Sequence, residues 1–562
     1  MKNIYLILAI VTFGISSAQD SLSVKNKLRL SGGFESNNQY YLDDSKLGDF
    51  GYENRFRSNT YFNLNFNYGK WTTGFQIESY EPDALLNYNP KFKDVGFGTY
   101  YLNFKSDKVD FTLGHYYEQF GSGLLLRTWE DRALGINNAL LGGRLIYRPT
   151  ENVNLKILYG RQRSGFEVTD GHIFGADSEF YLNKLFKFQV SSLSVGFSYV
   201  GRYEKIAIEN PNFDALTNGF AGRFNFNHNS FYMSGEFNYK SEDAIIDIQN
   251  KINNNLVKSG SAVLTNFGYS KNGLGIDVSL RRLENMGFFS EREPEIIDAE
   301  NTSINYNDKF MNYIPALTKQ HHSNLANIYV YQAQSRVSYL DVEKMKAGET
   351  GGQIDVFYNF KKGTKLGGKY GTKVAFNYSA WYNLPGEYRY FPEEYKTDVF
   401  GVGDKYFTDI NFEVKKRMAS SWYSNLYYVN QYYDKSLLEG GDLVKTNILS
   451  SENIFKFGKS RSLRVEAEHM WADADRYNWA GATVEYNFNQ HFSCYFWDIY
   501  NYGAHYDLQK NHYFNMGGAY RKGATRIAVN YGRQRGGLVC VGGVCRFVPE
   551  STGISLSLST SF

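Results

Sequence analysis

Apolar and polar residues alternate with period two along most of this chain, most cleanly at its end. Ile554, Leu556 and Leu558 fall at every second position, Phe562 keeps their phase, and Ser555, Ser557, Ser559 and Ser561 stand between. Such a row is a β-strand with one apolar and one polar face. Within 61–68, Phe62, Leu64, Phe66 and Tyr68 share one face while Asn63, Asn65 and Asn67 share the other. The same pattern recurs at 153–159, 193–199, 231–239, 274–280, 374–378 and 463–467. Charged residues on the second face, such as Glu236, Asp277, Arg464 and Glu466, could not face hydrocarbon without a large penalty, so that face looks into a lumen.

The connections alternate as well. Short turns at 68–70, 105–108, 149–152, 228–230 and 270–273 are separated by longer polar segments at 37–51, 121–138, 242–259 and 383–404, and by the largest, 285–352. Short periplasmic turns and long extracellular loops are the asymmetry of an outer-membrane barrel. The fold class predicted is therefore all-β, a transmembrane antiparallel β-barrel of about 24 strands, with even numbers from about 22 to 26 admissible. A weak strand at 178–184 is needed to keep the parity.

The two ends fit export. Met1, Lys2 and Asn3 precede an apolar stretch at 4–15, and Ser16-Ser17-Ala18 offers small residues for cleavage before Gln19. Residues 1–18 thus read as a signal peptide and 19–562 as a single barrel domain. A terminal strand closing on Phe562 resembles a barrel-insertion signal, which places the protein in the cell outer membrane. Composition adds two points. The 47 Tyr and 43 Phe against only 9 Pro suit aromatic girdles at both membrane interfaces. The formal net charge of +3 is too small to indicate nucleic acid. Outer-membrane lipid and lipopolysaccharide are the expected partners. Arg161 and Arg163, in phase with the lipid face, either meet lipid A phosphates or are turned inward by a bulge. The turn cations Lys361, Lys362, Lys365, Lys369, Lys415, Lys416, Arg417, Arg521 and Lys522 are read as meeting anionic headgroups.

Candidate chemistry is sparse. The segment 114–132 is the densest in polar and aromatic groups, and it carries Glu118, Arg127, Glu130, Asp131 and Arg132. Two readings stay open: an eyelet whose field selects solutes, or a salt-bridge network that pins a folded loop to the wall. The loop 285–352 holds Ile314, Leu317, Tyr329 and Tyr331, more apolar than a solvated loop requires, and reads as a lid or plug. No globular segment precedes the first strand near Lys27, so a plug of the TonB-dependent type is not expected. The 9 His include no spacing that recommends a dyad, and the adjacent His321 and His322 make a poor metal pair. Neither an enzyme, a cofactor nor a metal is expected. Cys540 and Cys545 bracket Val541-Gly-Gly-Val544, a hairpin tip within disulfide reach, while Cys494 keeps the phase of Phe492 and Phe496.

Three segments carry a resemblance: Glu118-Gln-Phe-Gly-Ser-Gly123 with Arg127 and Glu130; Leu366-Gly-Gly-Lys-Tyr-Gly371; and 536–549 with its two cysteines. Together they resemble an uncharacterised family of Bacteroidota outer-membrane β-barrel proteins, over most of the mature chain. The segment 335–347 departs from the pattern. The resemblance implies location and architecture, and it transfers no functional residue. The function expected is a passive, porin-like channel for a polar solute, narrowed by the large loop. The alternative is a non-conducting scaffold subunit with protein partners in an outer-membrane assembly or secretion complex.

Overall fold

The computed structural model describes residues 27–562 except 90, 184–185, 187, 206–213, 247–251, 294, 297–303, 306–308, 340–343, 391–392 and 542–543. Twenty-four strands form one sheet. The first eight are β1 (Arg29–Leu42), β2 (Phe56–Tyr68), β3 (Trp71–Ser79), β4 (Val95–Lys105), β5 (Val109–Tyr116), β6 (Leu140–Thr150), β7 (Val153–Ser164) and β8 (Glu167–Tyr181). The next eight are β9 (Ser191–Tyr203), β10 (Leu216–His228), β11 (Phe231–Ile246), β12 (Ile252–Lys271), β13 (Leu274–Glu284), β14 (Gly348–Phe360), β15 (Thr372–Tyr382) and β16 (Lys405–Ala419). The last are β17 (Trp422–Asp434), β18 (Leu443–Phe457), β19 (Arg461–Ala472), β20 (Trp479–Asn487), β21 (Phe492–Asn501), β22 (His512–Lys522), β23 (Thr525–Gln534) and β24 (Ser551–Ser561).

Each strand pairs antiparallel with its neighbours in sequence, and β1 also pairs with β24, from Gly33 opposite Ser561 to Leu42 opposite Thr552. The sheet is therefore a closed up-and-down barrel with no free edge. Phe562 finishes the seam: its N–H donates to the Gly32 carbonyl and its carbonyl accepts the Gly32 N–H, both at 3.0 Å. At the other end of the seam Asp44 accepts two bonds from the Arg533 guanidinium, at 2.7 and 2.8 Å, and one from Thr552 at 2.5 Å. Burial alone would raise Asp44, but these donors and the Lys46 N–H hold its carboxyl down at about 2.

The wall is inside out by the standard of a water-soluble protein. On β9, Phe197 is 59% exposed while Ser194 and Ser198 are buried. Ile157, Phe220, Phe237, Leu280, Phe412, Leu426, Phe496, Val529 and Leu556 are likewise exposed. An apolar outer face over a polar inner one is what hydrocarbon outside and water inside select. No helix among the described residues is long and apolar enough to cross a membrane; the strands do the crossing.

Several boundaries differ from the sequence reading. The weak strand expected at 178–184 overlaps only the end of β8, which starts at Glu167 after a tight turn at Gly165 (φ 63°) and stops at Tyr181. Strand β1 runs on to Leu42, and β11 and β12 extend to Ile246 and from Ile252, shortening the loops expected at 37–51 and 242–259. Pairing between β7 and β8 shifts register between Arg161 and Arg163. This irregularity decides the fate of the two arginines. Arg161 pairs with Asp170 at 3.0 Å and stays partly exposed, whereas Arg163 is buried against Glu78 with a bidentate contact of 2.6 and 2.9 Å.

Candidate functional site: a plugged lumen

Two loops at the long-loop end fold into the lumen and against each other. After β5 the chain forms short pairs at Gln119–Phe120 with Leu126–Arg127 and at Glu130–Asp131 with Ile136–Asn137. The loop after β13 threads alongside. The Arg127 N–H donates to Met311 O at 2.8 Å and the Tyr313 N–H to Gly123 O at 2.9 Å. Asn312 donates to the carbonyls of Leu124 and Met286 at 2.9 and 2.7 Å, and Asn138 to that of Phe310 at 2.9 Å. These side-chain amides stand in for a sheet ladder where the backbone is irregular and buried. The plug is thus one body made from two loops.

Its first apolar contact with the wall joins Phe120, Leu125, Leu126, Phe288 and Met311 to Leu140, Leu158, Ile173, Val200 and Ala221 of β6 to β10. Room for it comes from glycines in the wall: a Cβ on Gly219 would lie 2.5 Å from Leu125, and one on Gly175 2.9 Å from Phe120. A second cluster sets Leu325, Ala326, Tyr329 and Tyr331 against Trp381, Phe407, Tyr427, Val429, Val444, Ile448, Met470, Trp479, Ile499 and Tyr513 of β15 to β22. Tyr331 stacks on Trp381 and Phe407, with ring centres 5.8 and 5.2 Å apart. Each large side chain so buried contributes roughly 1.5–3 kcal/mol.

Carboxylates on the wall fix the plug backbone. Glu349, at the start of β14, is fully buried with Arg281 and accepts the Tyr331 hydroxyl at 2.5 Å and the Gln334 N–H at 2.7 Å. Glu468 on β19 accepts the Ser323 hydroxyl and the Leu325 N–H at 2.6 and 3.0 Å, ahead of a single 3₁₀ turn at Leu325–Asn327. His321 bonds Asp409 at 2.8 Å; its neighbour His322 turns to Glu466 at 3.5 Å and is partly exposed. Burial lowers the His322 imidazole. It also pushes the ammonium of Lys346, held by Gln334 at 2.6 Å, down to about 7.

The candidate residues of the two loops each have a definite place. Ile314, Tyr329 and Tyr331 are buried in the plug. Leu317 is only partly buried, at a turn with φ of 50°. Glu118 is buried between Lys156 (2.7 Å) and Arg144 (3.2 Å). Arg127 lies 3.8 Å over the Tyr313 ring, within the plug. Arg132 joins Glu35 of β1 at 2.5 Å and Glu130 at 3.1 Å, and it covers the Tyr61 ring. Asp131 accepts the Leu134 N–H and so shapes the turn. Glu118, Glu130 and Arg132 thus tie the loop to the wall, whereas Arg127 and Asp131 are held within the plug itself. Gly537–Val541 and Val544–Val548 pair as a hairpin with Cys540 opposite Cys545. The side chains of 538–547 lie outside the described residues, and so does the bond expected there. Cys494 is a free, half-buried thiol.

Sequence reasoning missed the share of the loop at 117–139 in the plug. The signal was the run Leu124-Leu125-Leu126 between two glycine turns. Beneath that loop lies a polar cavity of about 560 Å³ bounded by Glu118, Lys156, Asp177, Glu179, Arg223 and Glu236. Arg223 is held by Asp177 at 2.9 Å and Glu179 at 2.6 Å, and the Ser122 N–H reaches Glu236 at 2.8 Å. Below the apolar plug the lumen is therefore lined here with charges of both signs, a surface that favours water and polar solutes.

A family model described as a family of unknown function, DUF6029, matches residues 1–562. The chain belongs to that family. No curated protein matches it. Solved structures with a similar course include the siderophore receptor PirA of Pseudomonas aeruginosa, at 9% identity over 96% of this chain and 81% of that one, TM-score 0.40. The P pilus usher PapC translocation pore is similar at 10% identity over 95% and 99%, TM-score 0.40. A BenF-like porin from Pseudomonas fluorescens is similar at 9% identity over 95% and 98%, TM-score 0.34.

Proposed function

We propose that this DUF6029 chain is an outer-membrane channel of the passive, porin-like kind, whose polar pathway is narrowed by a plug built from its own outer loops. The observation that carries the reading is the change of lumen chemistry along the barrel axis. The long-loop half is packed with buried apolar side chains, and the remainder is lined by charges around a cavity. A barrel serving only as a mechanical ring has no need of a charged inner wall, whereas a solute path does. The second reading, a non-conducting scaffold in an outer-membrane complex, draws on the same plug, because eight successive strands share its larger core.

The two readings separate in reconstituted vesicles. Purified wild-type barrel should admit small polar solutes in a swelling assay, slowly and with a sharp size limit. Vesicles that stay impermeable, from a barrel that leaves native membranes with a stoichiometric protein partner, would establish the scaffold reading instead.

A further inference from the structure

The segment Leu366-Gly-Gly-Lys-Tyr-Gly371 takes no part in the plug. It lies at the short-turn end, between β14 and β15, in a turn that is folded on itself. The Gly363 N–H donates to Gly368 O and the Gly368 N–H to Thr364 O, both at 2.8 Å; the Thr364 hydroxyl accepts the Gly367 N–H at 3.0 Å. Gly363, Gly368 and Gly371 have φ of 82°, 59° and 89°, values that side chains with a Cβ rarely adopt. So shaped, the turn carries Tyr370 to within 4.7 Å of the Arg417 guanidinium, and Tyr423 of β17 faces the same group from 5.2 Å. Lys373 stands 4.5 Å over the Phe357 ring.

These groups surround a cavity of about 850 Å³. Lys373, Lys415, Arg417, Tyr423 and Ile454 alternate with the exposed Phe376, Phe412, Leu426 and Leu449, so they look into the lumen and away from lipid. Six cationic residues line the cavity, Lys361, Lys362, Lys373, Lys415, Lys416 and Arg417, against one carboxylate, Glu452, although Lys416 has the outward parity of Phe412. Glu452 is already bound to Arg464 at 2.5 Å. Among the described residues, only Lys415 of the six has a carboxylate partner, Glu413 at 2.9 Å. Arg417 is held in place by the carbonyls of Ala419 and Ser420, at 3.1 and 2.6 Å, rather than by a counter-charge.

We propose that this vestibule binds an organic anion, a carboxylate or phosphate carried on an apolar body. Cations gathered without counter-charge repel one another, and a shared anion relieves that repulsion in a cleft that concentrates their field. With Nε and Nη2 of Arg417 committed to carbonyls, its Nη1 side remains for an oxyanion beside the Lys373 ammonium, while Tyr370, Tyr423 and Ile454 accept the apolar body. The inference rests on the channel reading only in making this anion the solute that is carried; binding itself needs no flux.

The test is fluorine NMR of 4-fluorobenzoate with the full barrel in phosphatidylcholine nanodiscs. Saturable binding is expected, with none for the cation 4-fluorobenzylamine. The Lys373→Gln and Arg417→Gln pair should weaken binding about tenfold or more, the loss of about 1.4 kcal/mol, and Lys522→Gln should not change it. Because Arg417 also braces the neighbouring turn, Lys373→Gln and Tyr370→Ala are measured singly, and each should weaken binding several-fold in a barrel of unchanged heat-modifiable mobility. Absent saturation, equal binding of the cation, or undiminished binding in both single variants would overturn the site. Displacement of the probe by phosphatidylglycerol in the disc would assign the cations to lipid headgroups and overturn it too. A barrel that binds the anion but admits no solute would contradict the channel and leave the vestibule standing.

Discussion

Three donors converge on the Glu349 carboxylate: the Arg281 guanidinium, the Tyr331 hydroxyl and the Gln334 N–H. Arg281 in turn donates to Pro315 O at 2.5 Å and covers the Trp381 ring, so wall and plug meet at one buried ion pair. Glu349→Gln leaves that arginine buried without a carboxylate, at a cost of about 3–5 kcal/mol. The barrel can shed that cost by releasing the plug. Protease cuts within 312–337 should then appear in a barrel of normal heat-modifiable mobility, and wild-type resistance in the variant would count against the anchor. Lys346 gives a pH test of the same region. Burial brings its pKa from an ordinary 10.5 to about 7. Below that value it is charged whether the plug is packed or loose, so packing is weakest there. Between about pH 7 and 10.5 only the loose state holds the proton, so packing strengthens as pH rises. Hydrogen-exchange protection of residues 334–339, corrected for intrinsic rate, should climb from pH 7 to 9; a flat profile would contradict the assignment.

The strands were legible where water lies inside and lipid outside. In β2 the row Phe62, Leu64, Phe66, Tyr68 against three asparagines needs nothing but period two. The pattern fails where the plug replaces water. Ile173 on β8 points inward against the plug core, while Asp170 and His172 face outward, so the alternation there is inverted. That inversion, with the tight turn at Gly165, misplaced the strand by about a dozen residues in the sequence reading. Val429, Val444, Ile448, Met470 and Trp479 show the same effect: apolar residues on the lumen parity, legible afterwards as the footprint of a plug. The two-loop nature of the plug was not legible, because it depends on contacts such as Asn312 to Leu124 between segments far apart in sequence. Close approach makes one element test sharp. A Cβ on Gly171 of β8 would lie 1.8 Å from the Ser290 carbonyl, so Gly171→Ala must displace the plug backbone. Exchange at 286–292 should quicken about tenfold or more; unchanged rates would contradict the packing. In the last outer hairpin the backbone sets Cys540 against Cys545. A bridge there closes a short loop and contributes about 2 kcal/mol. Reduction should expose that hairpin to protease and leave barrel melting nearly unchanged, and free-thiol labelling of both residues in untreated membranes would exclude the bridge.

At the scale of the molecule, a closed wall, a plug and a charged lumen make one device. The seam between β1 and β24 removes the last free edge, and the bonds of Asp44 and Phe562 fasten its two ends. Neither plug loop is a separate domain, so the plug cannot leave as a unit and must open by local loosening from the wall. The central claim is that this plug alone separates a polar pathway from the outside. Single-channel conductance in planar bilayers tests it most directly, comparing wild type with a barrel in which 312–337 is replaced by a short Gly-Ser linker, since outer loops tolerate such replacement better than strands do. The account predicts a small but measurable wild-type conductance and a rise of roughly several-fold or more in the shortened barrel, with heat-modifiable mobility retained. A shortened, folded barrel that remains closed would contradict it.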